Sequence, residues 1–208
     1  MKKILSTMAA FVLAAQMCLF PAYAAPEWPN DTGVLAEGGI VIDADSGAML
    51  FGQNVRMQYY PASITKVMTA LVAIRHGNLE DEVTVTEDAV ITEAGASLCN
   101  IHPGDRLTLE QLLYGLMLPS GNDAGAAIAV HIAGSISAFA DMMNEEALAI
   151  GATGTHFTNP HGLTDEDHYT TAYDLYLIFN EAMKEPEFRK IEGTTSYYAE
   201  YVDSAGET

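Results

Sequence analysis

Two rhythms of apolar and polar residues run along this chain of 208 residues. Near its start, Gly39-Ile40-Val41-Ile42 and Ala48-Met49-Leu50-Phe51 are short apolar runs on either side of Asp45-Ser46-Gly47. Runs of that length around a glycine-containing turn predict a β-hairpin. Alternation of Val with Thr over residues 83–86 predicts a third short strand. After that the pattern is helical. Residues 62–76 are rich in apolar side chains and stop at Gly77-Asn78. Residues 108–118 open with Thr108 and Gln111 at capping-box spacing. Leu109, Leu112, Leu113 and Leu116 then follow the i, i+3, i+4, i+7 stripe, and Pro119 ends the segment. Residues 124–133 are apolar nearly all round, which marks a buried helix. Residues 137–150 and 173–184 predict two more helices. Helices therefore fill the middle of the chain, and the hairpin stands alone at its start.

The first residues belong to a different category. Lys2 and Lys3 form a positive start, Ile4 to Phe20 is apolar without charge, and Ala22-Tyr23-Ala24 is a small-x-small cleavage site. This predicts a secretory signal peptide over residues 1–24, followed by one catalytic-sized domain over 25–208. An uncleaved anchor is the alternative, although the apolar stretch is short for a membrane span. Ala15-Gln16-Met17 before Cys18 makes a poor lipoprotein box. Export changes the charge. The whole chain carries 9 basic and 28 acidic residues for a net −19. Cleavage takes two lysines away and leaves about −21. A surface this acidic repels polyanions, so nucleic acid is excluded as a partner. With 49% hydrophobic residues the chain has enough apolar surface for a core, so it is no disordered acidic tail. Cys99 is the one cysteine left after cleavage, so an internal disulfide is impossible. With no cation or histidine next to it in sequence, Cys99 reads as a small buried hydrophobe and not a nucleophile.

The chemistry begins at Pro61-Ala62-Ser63-Ile64-Thr65-Lys66. Ser63 is expected in the first helical turn, with Lys66 three residues on and on the same face. A serine hydroxyl is a weak nucleophile and needs a base to take its proton. A lysine can be that base only when neutral, and burial or a neighbouring cation would lower its pKa. Alone, Ser-x-x-Lys is a weak signal, because a helix-start serine with a solvated lysine looks the same. Lys66, however, sits amid Ile64, Val67, Met68 and Leu71, and no other lysine lies between Lys3 and Lys184. The second element is Ser120-Gly121-Asn122, in the break between two apolar helices. A hydroxyl there could relay a proton and a carboxamide could hold a carbonyl, although the same residues also suit an ordinary turn.

Ser-x-x-Lys followed by Ser-x-Asn is the motif order of penicillin-binding proteins and class A β-lactamases. The blocks GGIVIDADSGAMLF, PASITKVMTALVA, HPGDRLTLEQLLYGLMLPSGNDAGAAIA and FTNPHGLTDEDHYTTAYDL resemble, in order, the secreted D-alanyl-D-alanine carboxypeptidases. The resemblance covers about residues 38–174. It implies Ser63 as acyl-ester nucleophile, Lys66 as proton acceptor, Ser120 as aid to proton transfer and Asn122 as binder of a substrate peptide carbonyl. It further implies removal of the terminal D-alanine from peptidoglycan stem peptides, covalent inhibition by β-lactam antibiotics, and no metal or organic cofactor. The implied fold is α+β, of the β-lactamase/transpeptidase type: an antiparallel sheet flanked by helices, plus a helical lobe. Location outside the cytoplasmic membrane is implied, with possible peripheral attachment through a further C-terminal segment.

One departure is marked. The family's third motif, Lys-Thr-Gly, occurs nowhere in these residues. Its lysine would bind the substrate carboxylate and place a cation near Lys66. The expectation is a reading frame that continues past Thr208 into that motif, with the C-terminal strands of the sheet lying there as well. A hairpin without partners is marginal in water, so the chain as written is expected to be poorly folded or inactive. Two alternatives remain. A class A β-lactamase carries Asp where this chain has Gly121, and a deacylating Glu for which no matching block is present. A non-catalytic cell-wall-binding homologue is favoured only if the third motif is truly absent. His156, His161 and His168 near Asp165, Glu166 and Asp167 invite a metal reading, but their spacing fits no metal signature.

Overall fold

A computed structural model describes residues 33–208. The signal peptide expected over residues 1–24, with Cys18 in it, therefore lies outside the described residues. Residues 33–36 fall in a separate unit without regular structure, and the described strands and helices all lie within residues 37–208.

The predicted hairpin is present. Strands β1 (Gly39–Ile42) and β2 (Met49–Gln53) pair antiparallel, with a bulge between Val41 and Ile42. The turn is closed from within: Asp43 Oδ1 accepts from the Ser46 N–H at 2.7 Å and from its hydroxyl at 2.6 Å. Gly47 follows at φ +70°, a conformation a side chain would resist. Two further antiparallel pairs are short, and of their four strands alternation predicted one, β4 (Glu82–Thr84), which overlaps the expected 83–86. Strand β3 (Gln58–Tyr59) pairs with β6 (Thr170–Thr171), and β4 (Glu82–Thr84) pairs with β5 (Arg106–Thr108). Among the described residues the strands make three separate two-stranded sheets, not one.

Six α-helices supply the core: α1 (Thr65–His76), α2 (Leu109–Met117), α3 (Asn122–Ala133), α4 (Ile136–Ile150), α5 (Ala172–Ala182) and α6 (Pro186–Glu192). The first five match the predicted segments with no end shifted by more than three residues, and α6 was not foreseen. Its seven residues are too few for a periodic stripe to show. The caps explain most boundaries. Thr108 Oγ1 accepts from the Gln111 N–H at 3.1 Å, and Gln111 Oε1 accepts from the Thr108 N–H at 2.8 Å, so the predicted capping box is present. Ser135 starts α4 through the Ala138 N–H, and Thr171 starts α5 through the Asp174 N–H. Gly134 and Gly151 end α3 and α4 in the left-handed conformation.

Helix α1 is the axis of the body and touches α2 to α6. Met68, Ala70, Leu71, Val72 and Ala73 are fully buried, and so are Ala124, Ala126, Ile128 and Ala129 on α3. Each large side chain removed from water here contributes about 1.5–3 kcal/mol. At the C-terminal end of α1, Arg75 reaches three carboxylates, those of Glu146 on α4, Glu181 on α5 and Glu185 before α6. Hydrogen bonds to these acids, Glu181 foremost, hold its guanidinium above its ordinary pKa. The opposite end of α1 carries the chemistry.

Candidate active site

A 3₁₀ turn over Ala62–Ile64 precedes α1, so Ser63 stands two residues before the α-helix and not in its first turn as predicted. Ala62 has φ +49°, strained for a residue with a Cβ. Its carbonyl is met by the backbone of Gly162, at φ +85°, where an added Cβ would lie 1.8 Å from the Ala62 oxygen. Only glycine permits that approach. Ser63 is exposed, while Lys66, three residues on, is only 2% exposed.

The buried ammonium of Lys66 has three acceptors. Its Nζ donates to Ser63 Oγ at 3.0 Å, to Asn122 Oδ1 at 2.7 Å and to the His161 carbonyl at 2.9 Å. Burial pulls its pKa down from 10.5 to about 8, against the opposing pull of the Asp123 carboxylate. Of the two levers expected to act on this lysine, burial and a neighbouring cation, burial is the one that lowers it among the described residues. At pH 7 about a tenth of such lysines are neutral, against about one in three thousand at the ordinary pKa.

Asn122 opens α3, and the loop before it explains how it gets there. Pro119 stops α2, Ser120 takes φ +61°, and the Gly121 N–H returns to the Gly115 carbonyl at 3.0 Å. A Cβ on Gly121 would meet the Gly115 oxygen at 2.7 Å and Asp123 Oδ1 at 2.9 Å. Any side chain there, the class A β-lactamase aspartate included, would thus press its Cβ against a carbonyl and a carboxylate. The Asn122 N–H holds the Ser97 carbonyl at 2.9 Å. Ser63, Lys66 and Asn122 are joined in one hydrogen-bonded group. Ser120 belongs to the same loop as Asn122, and its hydroxyl makes no hydrogen bond to another described residue.

Asp123, Asn159, Gly162 and Thr69, none of them singled out by motif, also build this site, and His161 enters it through its carbonyl and not as a metal ligand. Asp123, 2% exposed, accepts from the N–H groups of Cys99, Asn100 and Ile101 at 3.0, 2.8 and 3.2 Å, and from the Cys99 thiol at 3.2 Å. Burial first, then that carboxylate, push the thiol up to about 12, so Cys99 is no nucleophile, although it is half-buried and not fully enclosed. Residues 158–168 form the third wall. Asn159 Oδ1 accepts from the Gly162 N–H at 2.7 Å and the His161 N–H at 3.2 Å, which turns the His161 carbonyl toward Lys66. One helical turn further along α1, Thr69 Oγ1 donates to the Pro160 carbonyl at 2.6 Å. The clue available in sequence was Asn159-Pro160-His161-Gly162, a turn signal far too tight for a helix-rich stretch.

A serine, a buried amine with a lowered pKa and a carboxamide, held between the ends of two buried helices in an α+β fold, form the kind of site that serine–lysine acyl transfer requires. Comparison with known proteins narrows that class to one family. The profile of Peptidase_S11, D-alanyl-D-alanine carboxypeptidase, matches residues 25–206. The chain is 34% identical over 206 residues to the D-alanyl-D-alanine carboxypeptidase DacF of Bacillus subtilis, covering 95% of this chain and 52% of that one. It is 41% identical over 159 residues to DacA of Escherichia coli, covering 72% and 40%. The fold superposes on the Streptomyces K15 DD-transpeptidase with TM-score 0.78 at 33% identity, covering 84% of this chain and 70% of that one. It also superposes on penicillin binding protein 6B of Escherichia coli with TM-score 0.77 at 32% identity, covering 87% and 61%. The chain belongs to the Peptidase_S11 family of D-alanyl-D-alanine carboxypeptidases. It spans about half the length of the curated relatives it matches.

Proposed function

We propose that this protein is a serine D-alanyl-D-alanine carboxypeptidase that acts on peptidoglycan stem peptides outside the cytoplasmic membrane. The observation that carries the reading is the Lys66 Nζ, buried, 3.0 Å from the Ser63 hydroxyl and 2.7 Å from the Asn122 carboxamide. Neutral Lys66 takes the proton of Ser63 as Oγ attacks the carbonyl carbon of the penultimate D-alanine. The C–N bond breaks, and the terminal D-alanine leaves with a proton passed from Lys66 by way of Ser120. Water then attacks the ester on Ser63 and releases the shortened peptide. The Asn122 carboxamide, with its oxygen held by Lys66, presents its N–H group to a substrate carbonyl. β-Lactams acylate the same hydroxyl. The signal-peptide pattern over residues 1–24 supports export.

The test is covalent labelling with a fluorescent penicillin, using the protein expressed from its own gene. The wild type should be labelled on Ser63 and should release D-alanine from a D-Ala-D-Ala peptide. Ser63→Ala should abolish both, and a Ser63→Ala protein that still takes label removes Ser63 as the nucleophile. The Gly121 geometry weighs against the β-lactamase alternative, which predicts rapid turnover of penicillin in place of a lasting label.

A further inference from the structure

His168 is 1% exposed and takes no part in the reaction described above. It lies edge-on to Phe157, ring centroids 5.6 Å apart. Its Nδ1 faces the Thr158 N–H at 3.1 Å, and its Nε2 faces Thr65 Oγ1 at 2.8 Å. A backbone N–H can only donate, so Nδ1 is an acceptor and carries no proton. The ring's proton therefore sits on Nε2 and is donated to Thr65. Thr65 is fully buried, directly precedes Lys66, and is the first residue of α1 after the turn that presents Ser63. A buried hydroxyl held from below at that joint fixes where the helix begins.

We infer that His168 is a positioning residue for acylation: by donating from Nε2 to Thr65, it sets the Ser63–Lys66 turn in register with the 158–168 loop. This rests on the acyl-enzyme reading of Ser63. The Thr65 bond is the first of three side-chain contacts along α1 to this loop, before Lys66 to His161 and Thr69 to Pro160. The other two use loop carbonyls, which any residue could supply. The contact to Thr65 alone depends on a side chain in the loop. Releasing it lets the start of α1 move relative to the His161 carbonyl, and displacements of about 1 Å at a reacting pair cost up to about a hundredfold in rate.

The test separates the two faces of the ring. His168→Gln places an amide where Nε2 stood and keeps a donor to Thr65. His168→Asn places its amide near Nδ1 and serves Thr158 alone. The rate of Ser63 acylation by fluorescent penicillin should stay within about threefold of wild type in the Gln variant, and fall about tenfold in the Asn and Ala variants. The fall should lie in the acylation step and not in the concentration of penicillin giving half the maximal rate. Melting temperatures are recorded alongside, because a merely structural role would make the rates follow stability. Equal rates in the Gln and Asn variants, or rates that track melting temperature, overturn the inference. Should the histidine variants not fold, Thr65→Val removes the acceptor from the helix side. A tenfold fall is again expected, and a wild-type rate overturns it. A wild-type protein that takes no label on Ser63 overturns the acyl-enzyme reading and this inference with it, whereas normal wild-type labelling with unchanged variants sinks the inference alone.

Discussion

Replacing Gly162 by alanine should damage the site more than the same change at any other glycine in a left-handed turn. Two costs add at this position. A residue with a Cβ pays about 1–2 kcal/mol to hold φ near +85°. The added methyl would also lie 1.8 Å from the Ala62 oxygen and 2.9 Å from Thr65 Oγ1, so the two backbones must part. Forced overpacking of that kind costs about 1–3 kcal/mol. The total expected loss is about 2–5 kcal/mol. Gly134 is the control, since it sits at φ +79° with nothing within 4 Å of its would-be Cβ and bears the first cost alone. Urea unfolding of the two alanine variants gives the clash as their difference, and penicillin labelling should slow in Gly162→Ala but not in Gly134→Ala. Equal destabilisation of the two, with labelling unchanged in both, would refute the claim that the Gly162 contact shapes the Ser63 turn.

Acylation should rise with pH through about 8, because the neutral form of Lys66 is the base and its pKa is lowered to that value; Lys66→Arg, always charged, should stay unlabelled at every pH in the same stopped-flow assay. His161 and His168 are held near 4 chiefly by burial, against 6.5 when unfolded, so the unfolded chain binds more protons as pH falls. Their contribution to stability is present above pH 6.5 and is lost between 6.5 and 4, and a melting temperature flat across that window would contradict the burial of these rings. Arg75→Met should destabilise the protein by about 1–2 kcal/mol, because it leaves three carboxylates facing one another; the loss measured by urea unfolding should shrink in 1 M salt.

The five longer helices and the hairpin were legible because each repeats a pattern over enough residues to be seen. Thr108 and Gln111 even disclosed a cap. Strands of two residues, such as Gln58–Tyr59 and Thr170–Thr171, hold no such repeat, and their pairing depends on where distant segments end. The site divides in the same way. Ser63, Lys66 and Asn122 were singled out by two short motifs, each weak alone, standing in the order of a known family. The His161 carbonyl, the Gly162 contact and the Thr65–His168 bond join residues about a hundred positions apart, and two of those three use backbone atoms, which every residue has. Asp123 was passed over because a first-turn acid on a helix is so common that it draws no attention. Its grip on the N–H groups of residues 99–101 is visible only once the chain is folded.

The three bonds around Lys66 also fix the direction of proton flow. An ammonium has three hydrogens, and all three are engaged. A neutral amine has two hydrogens and one lone pair, so losing the proton must vacate one of the three partners. Two of those partners are carbonyl oxygens, which have no hydrogen to return. Among these three partners the vacated lone pair can therefore be refilled by one only, the hydroxyl of Ser63. The amine's choice of proton donor among these partners is made by elimination: the His161 carbonyl is main chain and no substitution alters it, so only a change at Asn122 could present a rival hydrogen without touching the serine.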